Sequence, residues 1–488
     1  MHDTHTITFN ELISAIHYPL SKEDTALIKK AYGFAFEAHD GQKRNSGEPY
    51  FNHVVSTAKN LADFNMSPVV ISAGLLHDTI EDTDVTEYKM KKEFGAEITR
   101  LVEGVTKLGT LKYRGVERHV ESLRKFFIAM SRDLRIVVIK LADRLHNIQT
   151  LQFVRPDKQK RIAQETIEIH APLANKLGMG RLRNMLEDGA FPYAYPEEYK
   201  LVSDLLKTKA TVTQKKLQKV RKKVITELGN SGLRDITATE RIKSKFSLYK
   251  KLQKYEMDIE KVHDLVALRI LVNSMDECYR ALGIIHSVWK PLPGRVKDYI
   301  ASPKPNGYQS LHTSIFLGDG SVAEIQIRTH DMHKRAEYGI AAHEIYKLQD
   351  VKKLSTQDIE WIKKIKNKKV DKGEYESFLN DVKVDFFLDR IFVFTPKGDV
   401  VDLPAGASMI DFAYAIHSDI GDHAIGGYID GKYTALKTPL KNKAIVEIKT
   451  DKKSHPSSKW LDFATTSTAR KHIITYTQKH TILGRFFT

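Results

Sequence analysis

Cysteine is nearly absent: one, Cys278, stands in 488 residues, so no intrachain disulfide can staple this fold. The opening stretch MHDTHTITFN lacks the basic start and apolar core of a secretory leader. No window reaches the roughly 18 uninterrupted apolar residues that a membrane helix needs. These absences argue against a disulfide scaffold and against membrane insertion, and the expected compartment is the cytoplasm. Charge balance is also lacking: 77 Lys and Arg face 61 Asp and Glu, a formal charge of +16. An excess of that size implies an anionic partner, whether nucleotide, RNA or an acidic surface. What the chain does have is an ordinary apolar fraction of 41% and enough length for roughly three domains.

From about residue 20 to 190 apolar residues recur at helical spacing, as in DTALIKKAYGFAFEAHD and RIVVIKLADRLHNIQTL, which predicts an all-α unit. Residues 196–230 predict one or two lysine-rich helices with a solvated face, a connector. Between 235 and 330 short β-type runs, DLVALRILV, IIHSVW, TSIFL and VAEIQIRT, alternate with helical stretches, the texture of an α/β unit. QDVKKLSTQDIEWIKKIKNKK predicts a second basic linker, and DRIFVFTPKGDVVDLP predicts two strands about a PKGD turn that open a small β-rich domain.

The helical unit contains RNSGEPYFNH, ending in His53, then LLHDTIED with His77 and Asp78, then KLADRLHN with Asp143. Neighbouring positions lie about 100° apart around a helix, yet His77 and Asp78 can both reach one ion at a helix edge. Two imidazoles and two carboxylates suit manganese, iron or zinc better than calcium, and with no cysteine nearby a structural zinc knuckle is disfavoured. Glu81 and Asp82, one turn further on, are candidates to orient the attacking water as acid or base. An isolated HD pair reads more simply as a solvated helix face. The joint pattern of His53, the HDTIED run and Asp143 displaces that reading.

The α/β unit carries RIKSKFSLYKK, VHDLVALRI, GRVKDYIASPKPNGYQSLHT and AEIQIRT. Transfer of a phosphoryl-type group needs cations around the polyphosphate, a metal ligand, a base and a grip on each purine. Arg241, Lys243, Lys250 and Lys251 are expected to form a cationic helix start, and Asp264 a magnesium ligand at the mouth of an apolar strand. Glu324, opening EIQIR, is the candidate base, and the Pro-Asn-Gly context presents Tyr308 on a loop where its ring can stack on a base.

In KRNSGEPYFNH, LLHDTIED and LADRLHNIQTL the chain resembles the HD-type hydrolase domain of the long RelA/SpoT homologues. The resemblance implies that His53, His77, Asp78 and Asp143 bind manganese, and that Lys43, Arg44, Ser46, Asn147 and Thr150 line a pocket for guanosine tetraphosphate. The second group of strings resembles the synthetase domain of the same family, which implies transfer of pyrophosphate from ATP to the 3′-hydroxyl of GDP or GTP. By position, Asp264 would hold magnesium, Glu324 would activate the hydroxyl and Tyr308 would stack on guanine. Lys304, Asn306 and His312 would contact the acceptor, and Arg241, Lys243, Ser247 and Arg269 would hold ATP, with Lys250 and Lys251 beside them. RVKD resembles the basic loop of bifunctional members, with Arg295 and Lys297 pairing with acceptor phosphates.

The later segment FVFTPKGDVVDLPAGASMIDFAYAIHSDIG resembles the family's TGS domain, in which His417 matches a position that reads the free 3′ end of uncharged tRNA on the ribosome. The implied fold is multidomain: an all-α hydrolase domain over 1–195, a helical connector over 196–234, an α/β nucleotidyltransferase-like synthetase domain over 235–346, a helical linker over 347–385, a β-rich TGS domain over 386–450, and the start of a further helical domain over 451–488. A shortened form of a longer regulatory protein is therefore expected. Making and cleaving the same alarmone at once would waste ATP, so the two sites are expected to exclude one another, through the 196–230 helices and the tail. Two alternatives compete: a hydrolase with a decayed synthetase, and a non-catalytic RNA or ribosome binder. Asp264, Glu324 and Tyr308 speak against the first, and two separate sets of acid and metal-ligand residues speak against the second.

Overall fold

The computed structural model describes residues 6–109, 125–126, 129, 132–259, 262, 265–304, 306–317, 321–339 and 390–485. They form two compact units, one within 6–339 and one within 390–485. Among the described residues no helix is long and apolar enough to cross a membrane.

The first unit begins as packed helices. Ser67 caps the helix Pro68–Leu76 by accepting from the Val70 amide, with proline at the start where a missing N–H costs nothing. Every residue from Val70 to Leu76 is buried, so this helix runs through the middle of the layer and is apolar all round. Gly74 permits the close approach of the helix Phe51–Asp63, since a Cβ there would sit 2.3 Å from the Leu61 side chain. The chain departs from a continuous helix after Leu76: His77 caps it, and Asp78 opens a separate short helix, Thr79–Asp82. Both residues stay in the right-handed helical region across this break, at φ −61°, ψ −32° and φ −99°, ψ −3°, and His77 Nε2 lies 3.1 Å from Asp78 Oδ2. The lysine-rich stretch is one helix, Pro196–Asn230.

The second half of this unit is a five-stranded mixed sheet. In chain order the strands are β1 (Thr237–Ile242), β2 (Val266–Val272), β3 (Lys297–Asp298), β4 (Leu311–Phe316) and β5 (Val322–Thr329), arranged β1-β2-β5-β4-β3. Only β2 and β5 run parallel. Side chains alternate between faces: Leu268, Ile270, Ile325 and Ile327 are fully buried in a core that also takes in Ile148, Leu151 and Phe191 from the helical half. Phe191 is the hinge of that shared core, with ring centroids 5.2 Å from Phe246, 5.2 Å from Tyr249 and 5.6 Å from Tyr199.

The second unit opens with an antiparallel hairpin, β6 (Arg390–Phe394) and β7 (Val400–Pro404), followed by the helix Met409–Ile416. A three-stranded sheet follows, in which β8 (Ala424–Ile429) is central between β9 (Lys432–Thr434) and β10 (Val446–Thr450). Asp411, wholly buried, accepts from the backbone of Thr466 at 2.7 Å and from its hydroxyl at 2.9 Å, and Ala464, Ala469 and Ile473 enter the same core. The segment after the sheet is therefore packed as part of this unit.

Truncating the shared aromatic tests the continuity of the first core. Phe191→Ala is expected to cost about 3–5 kcal/mol, and in urea unfolding followed by circular dichroism the whole first unit should shift together. A loss below about 1 kcal/mol would show that the two halves do not depend on this contact.

Candidate active sites

Three helical elements deliver the first site. Phe51–Asp63 carries His53, Leu134–Gln149 carries Asp143, and the break after Leu76 carries His77 and Asp78. His53 Nε2 lies 3.3 Å from Asp78 Oδ2 and 3.3 Å from Asp143 Oδ1. His77 Nε2 lies 3.1 Å from Asp78 Oδ2 and 4.0 Å from Asp143 Oδ1. Ligand atoms of His53, His77 and Asp143 fall within 4.8 Å of one another. His77 Nδ1 donates to the Gly74 carbonyl at 2.8 Å, which turns its Nε2 toward the carboxylates. The Asp78 oxygen is the nearest acceptor to this buried Nε2, but the angle leaves the nitrogen without a well-aligned hydrogen bond. An orphaned imidazole nitrogen amid nitrogen and oxygen donors fits a divalent cation. Electrostatics agree: burial works to lower the His77 imidazole, but Asp78 and Asp143 overcome it and raise it to about 9. Burial works to raise both carboxyls, Asp143 being buried and Asp78 half-buried, yet His77 for Asp78 and Lys140 for Asp143 lead the influences that hold them well below the usual range. The pocket stabilises positive charge.

Around these ligands the structure brings together Arg44, Asn147 and Thr150. Arg44 donates to Asn147 Oδ1 at 2.9 Å and to Thr150 Oγ1 at 3.3 Å. Ser46 donates instead to Glu48 at 3.0 Å, and Lys43 is exposed on the same loop. Glu81 stands at the rim, where partial burial and then the Asp78 charge raise its carboxyl above the ordinary value. Asp82 accepts from the Tyr50 hydroxyl at 2.9 Å, and the same hydroxyl lies 2.8 Å from Asp78. Tyr50, Lys140 and His146 are missing from the residues read off the sequence. Lys140 donates to Asp143 at 2.7 Å, and His146 contacts His53. Helical spacing could have found them: each lies one turn from a ligand, on its face.

The second site is one face of the sheet. Arg241, Ala267, Glu324 and Ser314 stand side by side across β1, β2, β5 and β4. The adjacent row on that face is Thr239, Arg269, Gln326, His312 and Lys297. A linked chain results: Arg241 donates to Gln326 at 3.3 Å, Gln326 donates to Glu324 at 2.9 Å, and His312 Nδ1 lies 3.3 Å from Glu324. Tyr308, half-buried on its loop, places its hydroxyl 2.9 Å from His312 Nε2. Burial lowers the His312 imidazole, against the pull of Glu324. Lys304 Nζ lies 5.5 Å from the Tyr308 ring, and Asn306 donates to Asn175 at 3.3 Å. Arg269 and the buried Arg328 both reach Glu337, at 3.3 and 3.2 Å. Gln326, Arg328 and Glu337 are further members that the sequence reading passed over, although period-two alternation from Glu324 points to the first two.

The expected cationic helix start is differently built. Arg241 is on β1, Lys243 follows that strand, and Ser244 caps the helix Lys245–Lys254, its hydroxyl 2.8 Å from Ser247 Oγ. Lys250 and Lys251 therefore fall toward the helix C-terminus, where carbonyl dipoles favour cations. Lys250 is bound to Glu187 at 2.8 Å. Arg295 is exposed, and Lys297 pairs with His312 in the sheet. Asp264 lies outside the described residues. In the second unit His417 is exposed between two short helices, its Nδ1 accepting from the Asp419 amide at 3.2 Å.

Comparison with known proteins follows the same divisions. A family model for the HD domain matches residues 31–180, one for the region found in RelA / SpoT proteins matches 240–351, and one for the TGS domain matches 391–450. A GTP pyrophosphokinase of Myxococcus xanthus is 43% identical over 92% of this chain and 60% of its own length. The bifunctional (p)ppGpp synthase/hydrolase SpoT of Escherichia coli is 42% identical over 95% of this chain and 66% of its own. A guanosine-3′,5′-bis(diphosphate) 3′-pyrophosphohydrolase of Aquifex aeolicus is 43% identical over 95% of this chain and 66% of its own. The chain thus spans about two thirds, or somewhat less, of the relatives it matches. With a helical HD site, a mixed-sheet site and a small β-rich unit in this order, the chain belongs to the RelA/SpoT family.

Proposed function

We propose that the chain is a bifunctional alarmone enzyme. One site transfers pyrophosphate from ATP to the 3′-hydroxyl of GDP or GTP, and the other hydrolyses the resulting guanosine tetra- or pentaphosphate to GDP or GTP and pyrophosphate. The carrying observation is that two chemically opposite sites are separately built in one unit: a buried set of imidazoles and carboxylates around the orphaned Nε2 of His77, and a face of arginines around Glu324. The similarity to relatives that include a bifunctional (p)ppGpp synthase/hydrolase supports the same pair of activities.

In the hydrolase, His53, His77, Asp78 and Asp143 would hold a manganese ion, which when bound supplies Lewis acidity toward the phosphates and the attacking water. Arg44, held by Asn147 and Thr150, presents its guanidinium to the nucleotide, with Lys43 and Ser46 on the adjoining loop. Glu81, its carboxyl raised, takes the proton of the attacking water, and Asp82 is fixed beside it by Tyr50. In the synthetase, Glu324 accepts the proton of the 3′-hydroxyl, oriented by Gln326 and His312. Tyr308 offers its ring to guanine, Lys304, Asn306, Arg295 and Lys297 serve the acceptor, and Arg241, Lys243, Ser247, Lys250, Lys251 and Arg269 serve ATP. Asp264 would hold magnesium. The TGS domain would meet uncharged tRNA and the ribosome through His417, in the cytoplasm.

Two assays test this. With labelled ATP, GDP and magnesium, Glu324→Gln should lose about 10²–10⁴ in rate while hydrolysis of guanosine tetraphosphate with manganese persists. Glu81→Gln should show the reverse and retain its manganese. Loss of both activities in either folded variant would contradict two independent sites. The second assay reads protons. Because the His77 imidazole is raised to about 9, it carries a proton at neutral pH that an arriving cation must displace. Manganese affinity should therefore rise about tenfold per pH unit from pH 6.5 toward 9 and then level, with about one proton released per ion. Titration calorimetry at several pH values checks it, and an affinity flat across that range would contradict the ligand set.

A further inference from the structure

We propose that His146 is a positioning residue of the first site, setting the tautomer of His53 and holding Arg44 in place; the inference rests on the metal-site reading above. His146 lies one helical turn after Asp143 and is 8% exposed. Its Nδ1 is 2.8 Å from His53 Nδ1 and 3.1 Å from Arg44 Nη1. A guanidinium can only donate, so the His146 Nδ1 that faces it bears no proton and accepts. In the short contact between the two imidazoles, His53 Nδ1 must then be the donor. The His53 proton is thereby fixed on Nδ1, and its Nε2, 3.3 Å from both Asp78 and Asp143, presents its lone pair to the ion. His77 reaches the same tautomer by a different device, the Gly74 carbonyl, which no side-chain substitution removes. His53 depends on a side chain, and that side chain also receives a guanidinium already held by Asn147 and Thr150. One acceptor atom thus joins the cation ligand to the nucleotide pocket.

Three substitutions separate this role from simple packing. In His146→Asn the amide oxygen takes the place of Nδ1 and still accepts from both donors. In His146→Gln the same amide lies one methylene further out, away from them, and His146→Leu removes the acceptor. Manganese binding is measured by electron paramagnetic resonance on the whole chain, with thermal unfolding of the metal-free protein as the folding control. The leucine and glutamine variants should bind manganese about 10–100-fold more weakly than wild type. The asparagine variant should stay within about threefold. The KM for guanosine tetraphosphate at saturating manganese should rise several-fold with leucine and glutamine and recover with asparagine. If the leucine variant does not fold, the asparagine and glutamine pair decides alone. Equal manganese affinity in that pair, or wild-type affinity with leucine, overturns the proposal. A wild-type chain that takes up no manganese overturns the metal site and this role together. A chain that binds manganese with the predicted ranking but cleaves nothing overturns the hydrolase reading alone.

Discussion

The first unit depends on the helix Gly180–Ala194, which fastens its helical half to its sheet half. Asp188 accepts from the amides of Phe246, at 2.9 Å, and Lys245, at 3.2 Å, so a carboxylate from one half caps the first turn of a helix in the other. One residue earlier, Glu187 binds Lys250, and three residues later Phe191 enters the aromatic cluster. Just before this helix the two halves touch backbone to backbone. Gly339 takes a φ of +58°, and a Cβ there would lie 2.2 Å from the Leu177 carbonyl, so only glycine fits. Interiors packed this closely pass displacement on instead of absorbing it. Asn306, on the loop that presents Tyr308, is bound to Asn175 within the same seam. The loop that carries Tyr308 is thereby tied to the helical half of the unit.

The two sites solve opposite electrostatic problems with the means their elements allow. Helices bring His53, His77 and Asp143 into an enclosed point, and burying carboxylates there is tolerable only with positive charge beside them. Lys140 is therefore part of that site's charge balance, bound to Asp143 at 2.7 Å. The sheet instead spreads its charges in rows. Burial and then the neighbouring Arg328 lower the Arg269 guanidinium to about 10, while Glu337 is the carboxylate they share. Crowding of cations against a single acid leaves a surface disposed toward anions. The formal charge of +16 suggested an anionic partner without locating it, and this face is one place where such a partner is favoured.

Much of this was legible because the chemistry sits in short contiguous strings. His53, His77, Asp78 and Asp143 converge as their residue types implied, and Arg44, Asn147 and Thr150 meet although about 100 residues separate the first from the others. What stayed hidden was set by local geometry that composition does not report. The break between Leu76 and Thr79 was invisible, since LLHDTIED contains no glycine or proline to mark it. Lys250 was grouped with Arg241 by nearness in sequence, but Ser244 starts a helix between them and turns Lys250 toward Glu187. Gln326 was passed over because an amide carries no charge to flag it, although its place two residues after Glu324 sets it on the same face.

In both sites the reactive atom owes its direction to a partner on its far side. His77 gives Nδ1–H to Gly74, and only then does Nε2 look into the pocket; the single Tyr50 hydroxyl proton is shared between Asp78 and Asp82, 2.8 and 2.9 Å away, and holds the two carboxylates beside one another. On the sheet, Gln326 gives its amide to Glu324 while receiving from Arg241, so the carboxylate and the guanidinium are aligned through a neutral group that does not quench either charge. An amide can accept from a guanidinium on one side and donate to a carboxylate on the other, so one neutral side chain holds the row from Arg241 to Glu324 in order.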